Sequence, residues 1–266
     1  MSILEAFILG IIQGLTEFLP VSSSGHIELG KAVLGVDISA SESLSFSVAV
    51  HAATALSTMV VFRDDIIMLF KLLFERTWWN AGRQYILFII ISMVPAVLVG
   101  LFYKDEIESL FDGNLLLVGM MLIVTGLLLF MTTRVKRERG KMSIVNSIIL
   151  GVSQAIAILP GISRSGATIG TALLLGVEKT RAARFSFLMV IPVILGAMSK
   201  DILDMQGGAE VVSESSMIPL AVGFITAFVT GLLACTWMVN LVKKSKLVYF
   251  AYYCFIVGFI AIAYAL

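Results

Sequence analysis

The chain has 266 residues, 59% of them apolar and 14% charged, where a soluble domain carries about 25% charged residues. That apolar content exceeds what one soluble core could hide, so part of the solvent around this chain is lipid. The formal net charge of +1 argues against nucleic-acid binding, which calls for a basic stripe. Cys235 and Cys254 stand on separate apolar stretches without metal-ligand spacing and read as small buried hydrophobes.

The first apolar stretch, 3–19, lacks a basic leader and a small-residue cleavage site, so it reads as mature chain rather than a signal peptide. It runs into "EFLPVSSSGH" at 17–26, where a carboxylate, three hydroxyls and a histidine interrupt a lipid-like sequence, and a short stretch at 24–35 follows. Longer ones come next at 44–62, 84–103 and 115–131, with a mixed loop at 63–83 between the first two. The second half begins with 144–159 and breaks at "LPGISRSG". It continues through the short stretch 165–177 to 185–199, 217–240 and 247–266. The stretches at 24–35 and 165–177 fall short of the ~20 helical residues needed to cross hydrocarbon. Each follows a proline-containing break, the pattern of a helix that descends partway and returns to its own side.

The breaks belong to a repeat. "ILGIIQGLTEFLPVSSSGH" at 8–26 matches "ILGVSQAIAILPGISRSGA" at 149–167, with a one-residue slip around Leu-Pro. The predicted fold is therefore an all-α polytopic membrane protein, one membrane domain of two repeats, 1–139 and 140–266. Each repeat holds one re-entrant helix pair and three spans, six spans in all. Three is odd, so the second repeat enters the membrane inverted. Loop charges agree, because Lys and Arg collect on the cytoplasmic side. "RVKRERGK" at 134–141, "EKTRAAR" at 178–184 and "KKSK" at 243–246 are basic, whereas 36–42, 104–114 and 200–214 are acidic or poor in Lys and Arg. Both termini then lie outside, and the two tips approach the midplane from opposite sides.

A charge at mid-membrane is costly, so Glu17 and Arg164 need partners or a wet cavity. The returning helices start at about Ser23 and Ser163, and their unpaired N–H groups point at the midplane. With Arg164 they suit a multiply charged anion such as phosphate. Gln13 and Glu17 share one helix face by their i, i+4 spacing, as do Arg164 and Thr168, while Ser22 and Ser23 lie near the face of His26. Hydroxyl, imidazole, carboxylate and guanidinium together make the inventory for phosphoryl transfer. The serines also suit plain helix caps. His51, in an apolar span without a motif, reads as structural, and Gly10-x-x-x-Gly14 and Gly166-x-x-x-Gly170 as close helix-packing faces. The same architecture could instead carry a polyprenyl phosphate across the bilayer as a transporter or flippase.

"QGLTEFLPVSSSGH" and "LPGISRSGAT" resemble the two signature blocks of the undecaprenyl-diphosphatase family, also called bacitracin-resistance proteins. The likeness extends through "FSFLMVIP" and covers nearly the whole chain. One family position that takes Glu or Gln is Gln13 here, which leaves any carboxylate role there to Glu17. The resemblance implies hydrolysis of undecaprenyl diphosphate to undecaprenyl phosphate and inorganic phosphate, recycling a lipid carrier for peptidoglycan and conferring bacitracin resistance. It implies Glu17, Ser23, His26 and Arg164 as catalytic residues, with Ser23 or His26 as nucleophile. Gln13, Ser22, Ser24, Ser163, Ser165 and Thr168, with Gly161 and Gly166, are the implied substrate-binding set. A divalent cation, Mg²⁺ or Ca²⁺, is implied as well, with Glu17 as a single protein ligand. The expected partners are a polyprenyl diphosphate lipid and the bilayer itself, with oligomeric state left open. The expected location is the bacterial inner membrane, with the site open to the periplasm.

Overall fold

The computed structural model describes residues 1–36, 38–75, 80–103, 106–107, 110, 114–135, 140–207, 214–244 and 247–266. Most of the 104–114 loop and parts of the loops at 134–141, 200–214 and 243–246, on which the charge argument drew, lie outside these residues. The boundary expected between the repeats at 139/140 lies at the edge of one such gap.

Helices α1 (Ile3–Phe18), α2 (Ser23–Leu34), α3 (Ala40–Val61), α4 (Arg63–Leu73), α5 (Ala81–Phe102) and α6 (Leu115–Thr132) come first. They are followed by α7 (Ile144–Ile156), α8 (Arg164–Leu174), α9 (Lys179–Gly207), α10 (Glu214–Lys243) and α11 (Leu247–Ala265). Local chemistry starts and stops them. Ser2 and Glu5 form a capping box on α1, and Asn114 caps α6 through Leu117 N–H. Pro20 helps to end α1, because a residue before proline is disfavoured in the helical region and the C-cap Leu19 is extended; α7 ends at Ile156, ahead of Pro160.

Among the described residues, five helical segments, Glu42–Val61, Ala81–Phe102, Leu115–Thr132, Met217–Val242 and Leu247–Ala265, are long and apolar enough to cross a membrane. The sixth expected span, 185–199, lies inside α9, whose first turns carry Lys179, Arg181 and Arg184. Large apolar side chains face outward along these helices: Ile90, Ile225, Leu233, Phe259 and Ile260 are each more than half exposed. Serines and threonines such as Thr54, Ser57, Thr125 and Ser147 are buried instead. Apolar outside and small polar groups at the helix contacts is the arrangement of a protein whose surroundings are lipid. The chain is an all-α, multi-pass membrane protein.

One expectation is corrected. The mixed loop at 63–83 contains α4, an amphipathic helix with no buried residue. Its charges, Arg63, Asp64, Asp65 and Lys71, mask a helical apolar face that the sequence reading took for part of a loop.

The short helices set the site's depth. At ~1.5 Å per residue, α1, α2, α7 and α8, of 16, 12, 13 and 11 residues, are about 24, 18, 20 and 17 Å long, all short of a ~30 Å core. Packing crosses between the halves: α1 lies on α10, α7 on α5, and α6 on α11. The α1–α10 contact needs Gly14, because a Cβ there would come within 1.9 Å of Thr230 Oγ1 and 2.6 Å of the Ala227 carbonyl. This bears out Gly10-x-x-x-Gly14 as a packing face.

Candidate active site

The two breaks meet. Arg164, the first residue of α8, donates from Nη2 to Glu17 Oε1 near the end of α1. Ser165 Oγ donates to the Leu19 carbonyl at 3.1 Å. A Cβ on Gly166 would sit 3.2 Å from the Pro20 ring, and one on Gly25 the same distance from Gly161 Cα. The tips are built alike. Ser22 and Ser163 are N-caps whose Oγ atoms accept from the N–H groups of Gly25 and Gly166 at 3.2 and 3.1 Å. In each tip the capping hydroxyl lies 3.3 Å from the next serine but one, Ser24 or Ser165.

Glu17 is the hub. Its side chain is 4% exposed, and both oxygens are engaged. Oε1 takes Arg164, while Oε2 accepts from Ser23 Oγ at 2.6 Å and Gln13 Nε2 at 3.0 Å. Arg164 is a cation at a helix N-terminus, the end whose dipole is already positive. Positive potential is thus concentrated where Glu17, or another anion, can answer it. The cavity at this point, bounded by Phe18, Thr58, Ser186 and Val190, has a volume of about 10 Å³, room for about one water.

Other predicted residues are placed less directly. His26 Nδ1 faces the Ser22 carbonyl at 2.8 Å, and Nε2 meets Tyr253 Oη at 2.8 Å with the rings stacked at 12°. A carbonyl only accepts, so Nδ1 carries the hydrogen, and in neutral imidazole Nε2 accepts the Tyr253 proton. Ser163 N–H donates to Thr125 Oγ1 at 3.0 Å, and Gly166 N–H to Ser163. Of the amides at 163–166, these two are therefore already satisfied. Thr168 Oγ1 lies 2.6 Å from Ser186 Oγ and bonds its own helix backbone, tying α8 to α9. Gly161, at φ +92, lets the tip press on α6: a Cβ would lie 2.5 Å from the Val118 carbonyl. Ser22, with φ +70, holds a conformation that costs a non-glycine residue roughly 1–3 kcal/mol. Its Oγ and carbonyl, which accept from Gly25 N–H and His26 Nδ1, hold it there.

Two neighbours escaped the sequence reading. His51 of α3 places Nε2 3.8 Å from Glu17 Oε2, while Nδ1 faces the Ser47 carbonyl at 2.8 Å. The residue read as structural thus stands beside the hub carboxylate. Its signal was the bare presence of an ionisable side chain in a span. Tyr253, on α11, had no motif around it.

These features define a class: a helical membrane protein with a buried carboxylate–hydroxyl–guanidinium cluster where two broken helix pairs touch. Residues 6–260 match the model of the bacitracin resistance protein BacA family, and the chain belongs to that family. It is 57% identical over 265 residues to a protein of Christiangramia forsetii, covering 100% of this chain and 99% of that one. It is 50% identical over 259 residues to one of Bacteroides thetaiotaomicron, with 97% of each chain covered. With a third, from Methanobrevibacter smithii, it shares 37% identity over 275 residues, covering 98% and 96%. All three carry the name undecaprenyl-diphosphatase.

Proposed function

We propose that the protein hydrolyses undecaprenyl diphosphate to undecaprenyl phosphate and inorganic phosphate, with the polyprenyl tail in lipid and the diphosphate at the meeting of the two tips. The observation that carries this reading is the 2.6 Å bond from Ser23 Oγ to Glu17 Oε2, with Arg164 on the other carboxylate oxygen. A hydroxyl on a carboxylate beside a guanidinium is a nucleophile, a base and a charge clamp in one cluster. In this reading Glu17 occupies Arg164 until substrate arrives. The terminal phosphate then takes the guanidinium, and the amides of Arg164 and Ser165 add dipolar support.

Ser23 Oγ gives its proton to Glu17 and forms a bond to the terminal phosphorus. The bond from that phosphorus to the bridging oxygen breaks, and undecaprenyl phosphate leaves with the bridging oxygen. Water then attacks the phosphoserine, giving up a proton as phosphate departs and Ser23 regains its hydrogen. Ser23 is favoured over His26 as nucleophile because both His26 ring nitrogens are engaged, one on Ser22 and one on Tyr253. His26 and His51 flank the cluster as proton-handling groups.

A divalent cation fits here only with help from substrate. Gln13 Oε1 is buried without a hydrogen-bond partner among the described residues, and with Glu17 it offers hard oxygen ligands. Among those residues, no group of three or more His, Cys, Asp or Glu could hold a metal. Mg²⁺ or Ca²⁺ would take the rest of its shell from phosphate oxygens and water, and when bound would neutralise developing phosphoryl charge.

The like construction of the two tips and the crossed packing support two inverted halves, 1–139 and 140–266. Loop charge supports a site open to the periplasmic side of the bacterial inner membrane. Phosphate release from undecaprenyl diphosphate in detergent tests the function. Wild type releases phosphate, and Ser23→Ala loses about 10³-fold in kcat. A carrier releases none in detergent, and that result would overturn the reading.

A further inference from the structure

A second cavity lies apart from the catalytic cluster, between α4, α5, the segment preceding α7, and the start of α9. Its volume is about 450 Å³, within the ~300–1,000 Å³ range of small-molecule sites. Its floor is apolar: Met68, Leu69, Leu72, Phe88 and Leu188. The charged residues lining it are Lys141, Arg181, Arg184 and Asp65, three cations against one carboxylate. Arg184 lies 3.5 Å from Asp65 and Arg181 lies 3.8 Å from Glu178, a half-exposed pair that water screens, while among the described residues Lys141 has no ion-pair partner.

The wall is a built structure. Asn80 Nδ2 donates to the Leu72 carbonyl at 2.7 Å, and Arg83 Nη2 to the carbonyls of Leu73 and Glu75 at 2.9 and 2.8 Å, closing the end of α4 onto the start of α5. Gly82 allows that approach, since a Cβ there would fall 2.4 Å from Leu72 Cβ. On its outer side α4 exposes Ile67, Phe70 and the following Phe74, each at least half exposed. An amphipathic helix of this kind lies in the headgroup boundary with its apolar face in acyl chains. The cavity therefore opens at the membrane interface, with cations at headgroup level and apolar side chains beneath.

We infer that this cavity binds an anionic phospholipid of the surrounding leaflet. Its phosphate meets Lys141, Arg181 and Arg184, and the first carbons of an acyl chain lie on Met68, Leu72 and Leu188. Charge complementarity selects an anionic headgroup over a zwitterionic one, because a choline or ethanolamine cation would face the same three side chains. The apolar floor selects a lipid over free phosphate.

Native mass spectrometry of the full-length protein, titrated with phosphatidylglycerol or with phosphatidylcholine of the same chains, tests this. Wild type should retain one phosphatidylglycerol per chain at roughly tenfold lower lipid concentration than phosphatidylcholine. The double variant K141Q/R181Q removes two exposed cations and should bind phosphatidylglycerol roughly thirtyfold more weakly. Its phosphatidylcholine binding and its phosphate release should match wild type, which shows that it is folded. Equal retention of both lipids by wild type, or undiminished phosphatidylglycerol in the variant, overturns the inference. Displacement of the lipid by inorganic phosphate at equal concentration also overturns it, since the site would then be one for a small anion.

Discussion

Removing Arg164 leaves Glu17 in place with a side chain 4% exposed and Oε1 without its cation. An orphaned buried ion costs about 3–5 kcal/mol, but a carboxylate has an escape. Taking up a proton costs an ordinary carboxyl group about 1.4 kcal/mol for each pH unit above ~4.3, so the penalty is capped at about 3.7 kcal/mol at pH 7 and about 1 kcal/mol at pH 5. Arg164→Ala should therefore unfold well below wild type at pH 7 and recover most of the difference at pH 5. The sign follows from the proton neutralising the orphan as pH falls. Glu17→Gln leaves the opposite orphan, and a guanidinium cannot shed its charge, so its deficit should persist at both pH values. The double variant has no unpaired charge and should lie within about 1 kcal/mol of wild type. Activity should part company with stability: phosphate release falls about 10³-fold or more in all three, and the double variant does not regain it. Thermal unfolding in detergent at the two pH values, beside the phosphate assay, reads both quantities. A deficit for Arg164→Ala that is the same at pH 5 and pH 7, or a double variant as unstable as the two singles summed, would refute the buried-pair argument. Near-normal turnover in Arg164→Ala would remove its role as clamp.

Two further outcomes are expected. Tyr253→Phe deletes the hydroxyl on His26 Nε2, a bond worth about 1 kcal/mol; kcat should drop roughly fivefold with KM little changed, and an unaltered kcat would show that the His26–Tyr253 pair only packs. Ser24→Cys, made with the buried Cys235 and Cys254 replaced by alanine, should react with an impermeant maleimide added to the periplasmic side of sealed vesicles; labelling from the cytoplasmic side alone would reverse the proposed orientation.

The parts of this structure written locally were legible. Breaks at Leu-Pro followed by serines produced two caps, two short helices and a Glu17–Arg164 meeting, because proline and cap chemistry act over a few residues. Helix ends came within a few residues for most stretches, although α3 starts at Ala40 rather than 44 and α9 at Lys179 rather than 185. There, polar first turns hide a helix from an apolar count. The same blindness turned α4 into a loop. What was not legible depends on distant packing. Thr125 reaches Ser163 N–H from α6, His51 reaches Glu17 from α3, and Tyr253 reaches His26 from α11. None of the three has a sequence neighbour that marks it. Of the four amides at 163–166, Thr125 claims one and the Ser163 cap another, a division that depends on packing from α6.

The crossing of α1 onto α10 has a consequence for how the chain is made. Glu17 waits for Arg164 across 147 positions, which at ~5–20 residues per second is about 7–30 s of synthesis. The groove on α1 that holds Thr230 is filled later still. For that interval the newborn first hairpin sits in the bilayer with a carboxylate that nothing yet neutralises, so it must stay protonated, shallow or escorted by the insertion machinery until the second hairpin arrives.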